Sequence, residues 1–188
     1  MTIIARVTPI WKKQKLFVGV FLLAFTAWFC WDGAVGFPRT NERYNRWREF
    51  RDTGKLDEWP AYAKSRGWKT QPPDHGYTDM QVRGQYLWAS LTGVSSLLVL
   101  IYWLQQIRRT LQCDDEAVTT PAGTRVPYSA ITGLGLKKWD SKGLATVRFE
   151  IGGRKGEFLV DDYKFEAEPT REILDTIKRH LEGRQAGK

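Results

Sequence analysis

Residues 84–107 read GQYLWASLTGVSSLLVLIYWLQQI, contain no charged side chain, and run directly into Arg108-Arg109. A helix needs about 20 apolar residues to cross ~30 Å of hydrocarbon. Backbone groups in lipid find no water, so a single run of this kind satisfies them internally, as a helix. Tyr86 and Trp88 near one end and Tyr102 and Trp103 near the other match aromatic belts at two lipid–water interfaces. The buried helix of a soluble protein would be unusually long and charge-free for this stretch. The rest of the chain is read outward from this span.

Residues 16–31, LFVGVFLLAFTAWFCW, form a second uncharged run behind Lys12, Lys13 and Lys15, and the apolar character continues past Asp32 to Phe37. A basic head before an apolar stretch also suits a secretory signal. Trp28, Phe29 and Trp31, however, fill the region where small residues would mark cleavage, and a bulky Phe29 precedes Cys30 where a lipoprotein site needs a small residue. A retained first transmembrane helix is the favoured reading, with Phe37-Pro38 as its stop. Asp32 lies near the end of that helix among Trp28, Trp31 and Gly33, where headgroups solvate a carboxylate; a functional intramembrane acid is the alternative.

Two spans and their connecting loop take up about half of the 188 residues, leaving room for one small further domain. The net charge of +8 is concentrated beside the spans. Residues 1–15 hold four Lys/Arg and no acid, and residues 38–83 hold ten against seven acids. Residues 106–188 are nearly balanced, at fifteen against thirteen. Basic charge beside a membrane meets anionic headgroups and orients the chain, whereas nucleic-acid binding wants a basic face on a folded module. No nucleic-acid partner and no small-molecule substrate are expected. The two cysteines, Cys30 and Cys113, form no CxxC or zinc spacing, and no metal is expected.

In the loop, Pro38 and Gly54 bracket NERYNRWREFR at 41–51, and Trp59, Tyr62 and Ala63 follow at helical spacing. Gly67, Pro72-Pro73 and Gly76 lead back to the second span. Two short amphipathic helices are expected against the membrane face. Their aromatic residues are read chiefly as a packed helix face or interface anchors, with Tyr44, Trp47, Trp59 and Tyr62 as candidate partner-docking residues. Topology is undecided by charge: Lys12, Lys13, Lys15, Arg108 and Arg109 flank the outer ends, but Arg39, Arg43, Arg46, Arg48 and Arg51 follow the first helix as closely.

After Arg109 the pattern turns to short alternating runs. Strands are expected over 110–114, 116–120, 124–128, 130–140, 144–151 and 155–160, with turns at Pro121-Ala122-Gly123, Asp140-Ser141-Lys142-Gly143 and Gly152-Gly153. A final helix carries Pro169 in its first turn, the stripe Ile173, Leu174, Ile177 and Leu181, and Gly183 as its stop. Lys137, Lys138, Lys142 and Trp139 are candidate contacts to acidic headgroups, as are Lys12, Lys13, Lys15, Arg108 and Arg109. Searches for a nucleotide loop or a catalytic His/Ser/Cys grouping find none. No catalytic, cofactor-binding or metal-binding residue is assigned.

The run Thr124-Arg125-Val126-Pro127-Tyr128-Ser129-Ala130-Ile131-Thr132-Gly133-Leu134, followed by Lys137-Lys138-Trp139, resembles the bacterial pleckstrin-homology-like (PH-like, bPH) domains. The resemblance covers about residues 106–183. It implies a barrel capped by a C-terminal helix, and a binding or assembly module on a bacterial membrane protein, generally at the cytoplasmic side; it carries no catalytic residues. It tips the topology toward cytoplasmic termini.

The expected fold class is therefore membrane α + β: a two-transmembrane-helix hairpin, then a small PH-like β-barrel or curved sheet capped by a C-terminal helix. The expected segments are a basic cytoplasmic N-terminus (1–15), a first transmembrane helix (16–37), an extracytoplasmic loop with short amphipathic helices (38–83), a second transmembrane helix (84–107), the PH-like domain (108–183) and a tail (184–188). The expected function is that of a non-enzymatic, multi-pass protein of the bacterial inner membrane. Its module would bind partner proteins, as an accessory or assembly subunit of a larger complex; the alternative is a membrane-anchored lipid-headgroup-binding module. The expected partners are membrane lipids and other subunits, and no cofactor is expected.

Overall fold

The expected basic N-terminus contains a strand. In the computed structural model, which describes residues 2–186, Ile3–Arg6 is a strand, β1. It pairs antiparallel with β2, Thr110–Cys113, in the register Ile3↔Cys113 and Ala5↔Leu111. Ala5 and Val7 face inward and are buried, while Ile4 and Arg6 face out, the period-two pattern of a half-buried strand. Its other side is pinned as well: Thr8 N–H donates to the Lys164 carbonyl at 2.9 Å and Glu166 N–H to the Arg6 carbonyl at 2.9 Å. The expected boundary at residue 15 is thus corrected: the N-terminal segment belongs to the sheet-bearing unit.

Two compact units result, residues 1–17 with 100–188 and residues 18–99. In the first, β1, β2, β3 (Ala117–Thr119) and β4 (Arg125–Pro127) form one antiparallel sheet in chain order. β5 (Ile131–Lys138), β6 (Leu144–Ile151) and β7 (Arg154–Asp161) form another. The barrel expectation is corrected here, because the seven strands make two sheets and no closed barrel. The short β3 and β4 pair only with each other and β2, and the edge strands are β1 and β4 in the first sheet and β5 and β7 in the second. The expected helix is present, over Ala167–Ala186, and its stripe is the core: Ile173, Leu174 and Ile177 are fully buried against Leu111, Val126, Ile131, Val147 and Val160. It runs through Gly183 without stopping there. Arg184 of this helix donates to the Ser129 and Ile131 carbonyls, both at 3.0 Å. Of the expected tail, residues 187 and 188 lie outside the described residues.

Helix α1, Pro9–Trp31, is capped by Thr8, whose Oγ1 accepts from Trp11 N–H at 3.3 Å, with Pro9 at the first position. It does not end at Phe37-Pro38. A wide turn over Asp32–Gly36 carries it into α2, Phe37–Asp52, as one helix of 44 residues. Phe37 N–H reaches back five residues to the Asp32 carbonyl, so the helix has already widened where Pro38 lacks its donor. After Gly54 the chain forms a short turn and α3, Trp59–Ser65. α4, Asp79–Gln106, starts five residues before the apolar run because Thr78 and Gln81 form a capping box: Thr78 N–H donates to Gln81 Oε1 at 2.8 Å and Gln81 N–H to Thr78 Oγ1 at 3.2 Å.

Both long helices are long and apolar enough to cross a membrane, and only 11% of the most apolar window of each is buried within the molecule. In the second unit they meet through small and hydroxylated residues. Buried Ser96 donates to the Gly19 carbonyl at 2.8 Å, and Thr26 donates to Thr92 at 3.0 Å. Gly93 lies against Thr26, where a Cβ would come within 3.3 Å of its methyl. The loop unit is closed by rings: Phe50, Tyr62 and Trp68 surround Trp59, with centroids 5.9, 6.2 and 6.3 Å from it. Trp59 Nε1 donates to the Thr70 carbonyl at 2.9 Å. Phe37 stacks on Tyr77 at 3.7 Å, and Asn41 exchanges hydrogen bonds with the Tyr77 backbone.

Candidate functional site

The turn after β7 is built by Asp161, whose Oδ1 accepts from the Tyr163 and Lys164 N–H groups, both at 3.0 Å. This bends the chain so that three successive residues meet the helices. The Tyr163 carbonyl accepts from Thr8 Oγ1 at 3.2 Å, and its hydroxyl bonds Gln14. Lys164 Nζ donates to Gln106 Oε1 at 2.7 Å and lies 5.3 Å from the ring centroids of both Trp11 and Phe165. Phe165 is buried in the core. Trp103 Nε1 donates to the Lys12 carbonyl at 3.0 Å, and Trp11 and Tyr102 meet at 6.0 Å. The start of α1 and the end of α4 are therefore clamped to the sheets through side chains from both. Burial holds the Lys164 ammonium below the ordinary lysine range; Asp161 opposes that shift and Arg109 adds to it.

Beside this clamp a cleft of about 510 Å³ opens between the β3–β4 turn and β7. Tyr102, Arg109 and Lys164 line one side, and Phe149, Phe158 and Phe165 the apolar wall. Lys164 over the Phe165 ring, with Arg109 on the same lining, makes a candidate binding surface, and Glu157 and Asp161 on that lining partly balance the two charges. Across the first sheet, Arg125 grips Asp114 with two nitrogens at 2.6 and 3.2 Å and reaches Glu116 at 3.4 Å. Donation from Glu116 N–H, and then Arg125, holds the Asp114 carboxyl below the usual range. Tyr128 hydroxyl donates to the Asp114 carbonyl at 2.9 Å, which fixes this corner as a structural element. Burial raises the Cys113 thiol.

The residues expected from sequence fall into separate places. Lys12, Lys15 and Arg109 lie at the clamp: the Lys12 carbonyl accepts from Trp103, Lys15 lies 5.8 Å over Trp11, and Arg109 Nε donates to the Gln105 carbonyl at 3.2 Å. Lys13 and Arg108 are exposed. Lys137, Lys138 and Lys142 are exposed around the β5–β6 connection, which is a one-turn helix α5, Trp139–Lys142, ending at Gly143 with φ +64°. Trp139 between them packs against the core, so it is held by the module and is not free to reach outward. That connection joins the turn that holds the helices, since Asp162 N–H donates to the Gly143 carbonyl at 3.0 Å. In the loop unit, Trp59 is buried and closes the ring cluster, which removes it as a docking surface. Tyr62 is a half-buried member of the same cluster; Tyr44 and Trp47 are half-buried with centroids 6.0 Å apart.

Sequence reasoning passed over Lys164, Gln106, Gln14 and Trp11. Asp161-Asp162-Tyr163-Lys164 reads as an ordinary turn, and the only signal was one lysine flanked by Tyr163 and Phe165. Among the described residues no group of three or more His, Cys, Asp or Glu is placed to hold a metal ion. No protein-family model, curated protein or solved structure matches this chain.

Proposed function

We propose that this is a non-enzymatic, multi-pass protein of the bacterial inner membrane. Its PH-like sheet module binds partner proteins, as an accessory or assembly subunit of a larger membrane complex. The observation that carries the reading is the clamp: Lys164 on Gln106, Tyr163 on Gln14 and Trp103 on Lys12 tie the module to the helix ends without a free linker. Open β4 and β7 edges and a cleft on such a module suit docking to a neighbouring subunit. Seven antiparallel strands under a C-terminal helix support the PH-like reading. On this reading both termini are cytoplasmic and residues 38–83 lie outside. Purification of the full chain from native membranes in mild detergent is expected to yield a stoichiometric co-purifying subunit. A lone monomer, also after cross-linking in the membrane, overturns the proposal. Topology is tested with single cysteines at Ser65 and Ser141 in a background lacking Cys30 and Cys113; labelling of Ser141→Cys from outside overturns the cytoplasmic placement.

The second reading is lipid-headgroup binding by the module, favoured by the cations at its clamp, Lys15 and Arg109, and by the exposed Lys137, Lys138 and Lys142 around the β5–β6 connection. Because β1 completes the module, the test uses the full chain in nanodiscs. Lys137→Gln/Lys138→Gln/Lys142→Gln is expected to weaken enrichment of anionic lipid in the surrounding annulus, and unchanged enrichment rejects this reading.

A further inference from the structure

The loop unit holds a cleft of about 520 Å³ lined by Arg39, Thr40, Arg43, Arg66, Trp68 and Lys69. Four of these side chains are cations, and no carboxylate lines the cleft. Two of the three acids of α2 are engaged elsewhere, Glu49 with Arg46 at 2.9 Å and Asp52 with Arg51 at 3.0 Å and Arg48 at 4.0 Å, and the third, Glu42, is exposed and does not line the cleft. Among the described residues none of the four cleft cations has an ion-pair partner. Arg39 and Arg43 stand one helical turn apart on the same face of α2, and the chain after α3 brings Arg66 and Lys69 to them.

Arg43 is the fixed member. Its Nη2 donates to the carbonyls of Lys69 at 3.0 Å and Gln71 at 2.5 Å, which holds the returning segment in place. Its Nε is buried and has no acceptor. A buried donor without a partner is destabilising, and an acceptor-rich ligand in the cleft would relieve that. Guanidinium forks bind phosphate bidentately, and a tetrahedral anion with several oxygens can accept from more than one fork of such a cluster. An adjoining cleft of about 270 Å³ shares Thr40, Arg43 and Lys69 and adds Asp74 and His75, acceptors for hydroxyl groups next to such an anion.

We infer that this cleft binds a phosphate ester, with Arg39, Arg66 and Lys69 as its outer contacts and Arg43 as its fixed wall. A phospholipid headgroup and a soluble glycerophosphate share this chemistry. The first is reached through the continuous helix, on which Arg39 stands two residues after Phe37.

The test uses the full chain. In detergent it is titrated with inorganic phosphate and with glycerol 3-phosphate, and in phosphatidylcholine nanodiscs with and without phosphatidylglycerol; binding is read from intrinsic tryptophan fluorescence. Saturable binding of a soluble probe identifies a soluble ester, and a response confined to phosphatidylglycerol discs identifies a headgroup. In either case Arg39→Gln/Arg66→Gln/Lys69→Gln is expected to weaken binding by more than about tenfold. Should the triple variant lose its near-ultraviolet circular dichroism, Lys69→Gln alone, at an exposed side chain, carries the test with an expected weakening of about threefold. No saturable binding of any probe, or unchanged binding by the folded variant, overturns the inference.

Discussion

The sheet module and the loop unit are held together by different physics. The module buries a continuous aliphatic core: Leu111, Val118, Val126, Ile131, Val147, Val160, Ile173, Leu174 and Ile177 are all essentially inaccessible. The loop unit buries little besides Trp59 and Ala63, and α2 contributes no buried residue at all. It relies on ring contacts around one tryptophan and on one arginine held by two carbonyls. Spread burial tolerates single losses, whereas a structure resting on few anchors loses much with any one of them. The second kind also gains more from a ligand that completes its unpaired donors.

The sharpest way to break this contrast is to remove β1. Deleting residues 2–6 takes away an edge-covering strand and the inward Ala5, and exposes Leu111 and Cys113, its partners in register. The module is expected to lose its protease resistance altogether; a resistant module would show that the N-terminal strand is dispensable. Next in size, Trp59→Ala should cost about 3–5 kcal/mol within the loop unit and leave amide exchange of β5, β6 and β7 unchanged. Slower opening in the loop, or faster exchange in the strands, would contradict separate units.

Gln106→Leu leaves the half-buried Lys164 ammonium without its acceptor and is expected to cost about 1–2 kcal/mol near neutral pH by thermal unfolding in detergent. The folded-state value of Lys164 is already depressed, and the unfolded chain binds its proton more readily. The deficit of the variant should therefore shrink as pH rises through that depressed value; a deficit that grows with alkalinity refutes the assignment. Ser96→Ala removes the bond to Gly19 and should cost about 0.6 kcal/mol, read as a fall in unfolding temperature.

The smallest effect concerns Asp114. Its carboxyl is held low by Glu116 N–H and Arg125, so its contribution is present above about pH 4 and fades as pH falls through the depressed value. Asp114→Asn should flatten the acid limb of the stability curve and leave the alkaline limb unaltered.

The long-range pieces were the illegible ones. Ile3-Ile4-Ala5-Arg6 is too short to announce a strand beside Lys12-Lys13-Lys15, and its partner Thr110–Cys113 lies more than a hundred residues away. Pro38 reads as a helix stop, yet the widened turn at Asp32–Gly36 precedes it and absorbs the missing bond. Lys164 carries no motif, because Gln106, Trp11 and Phe165 come together only once the Asp161 turn meets the helices. The arginines after the first span were visible, but not which of them keep an acid.

By itself the sequence determined the local features. Among these are two apolar helices, the alternation of β6 and β7, the turns at Gly143 and Gly152-Gly153, and the core stripe of the final helix, since each rests on periodicity or on backbone preference within a few residues. The tertiary structure alone decided that the chain's first strand completes its last domain, that seven strands stay as two open sheets, and that four cations share one cleft without an acid. Those outcomes depend on which distant surfaces meet, and no spacing along the chain encodes that meeting.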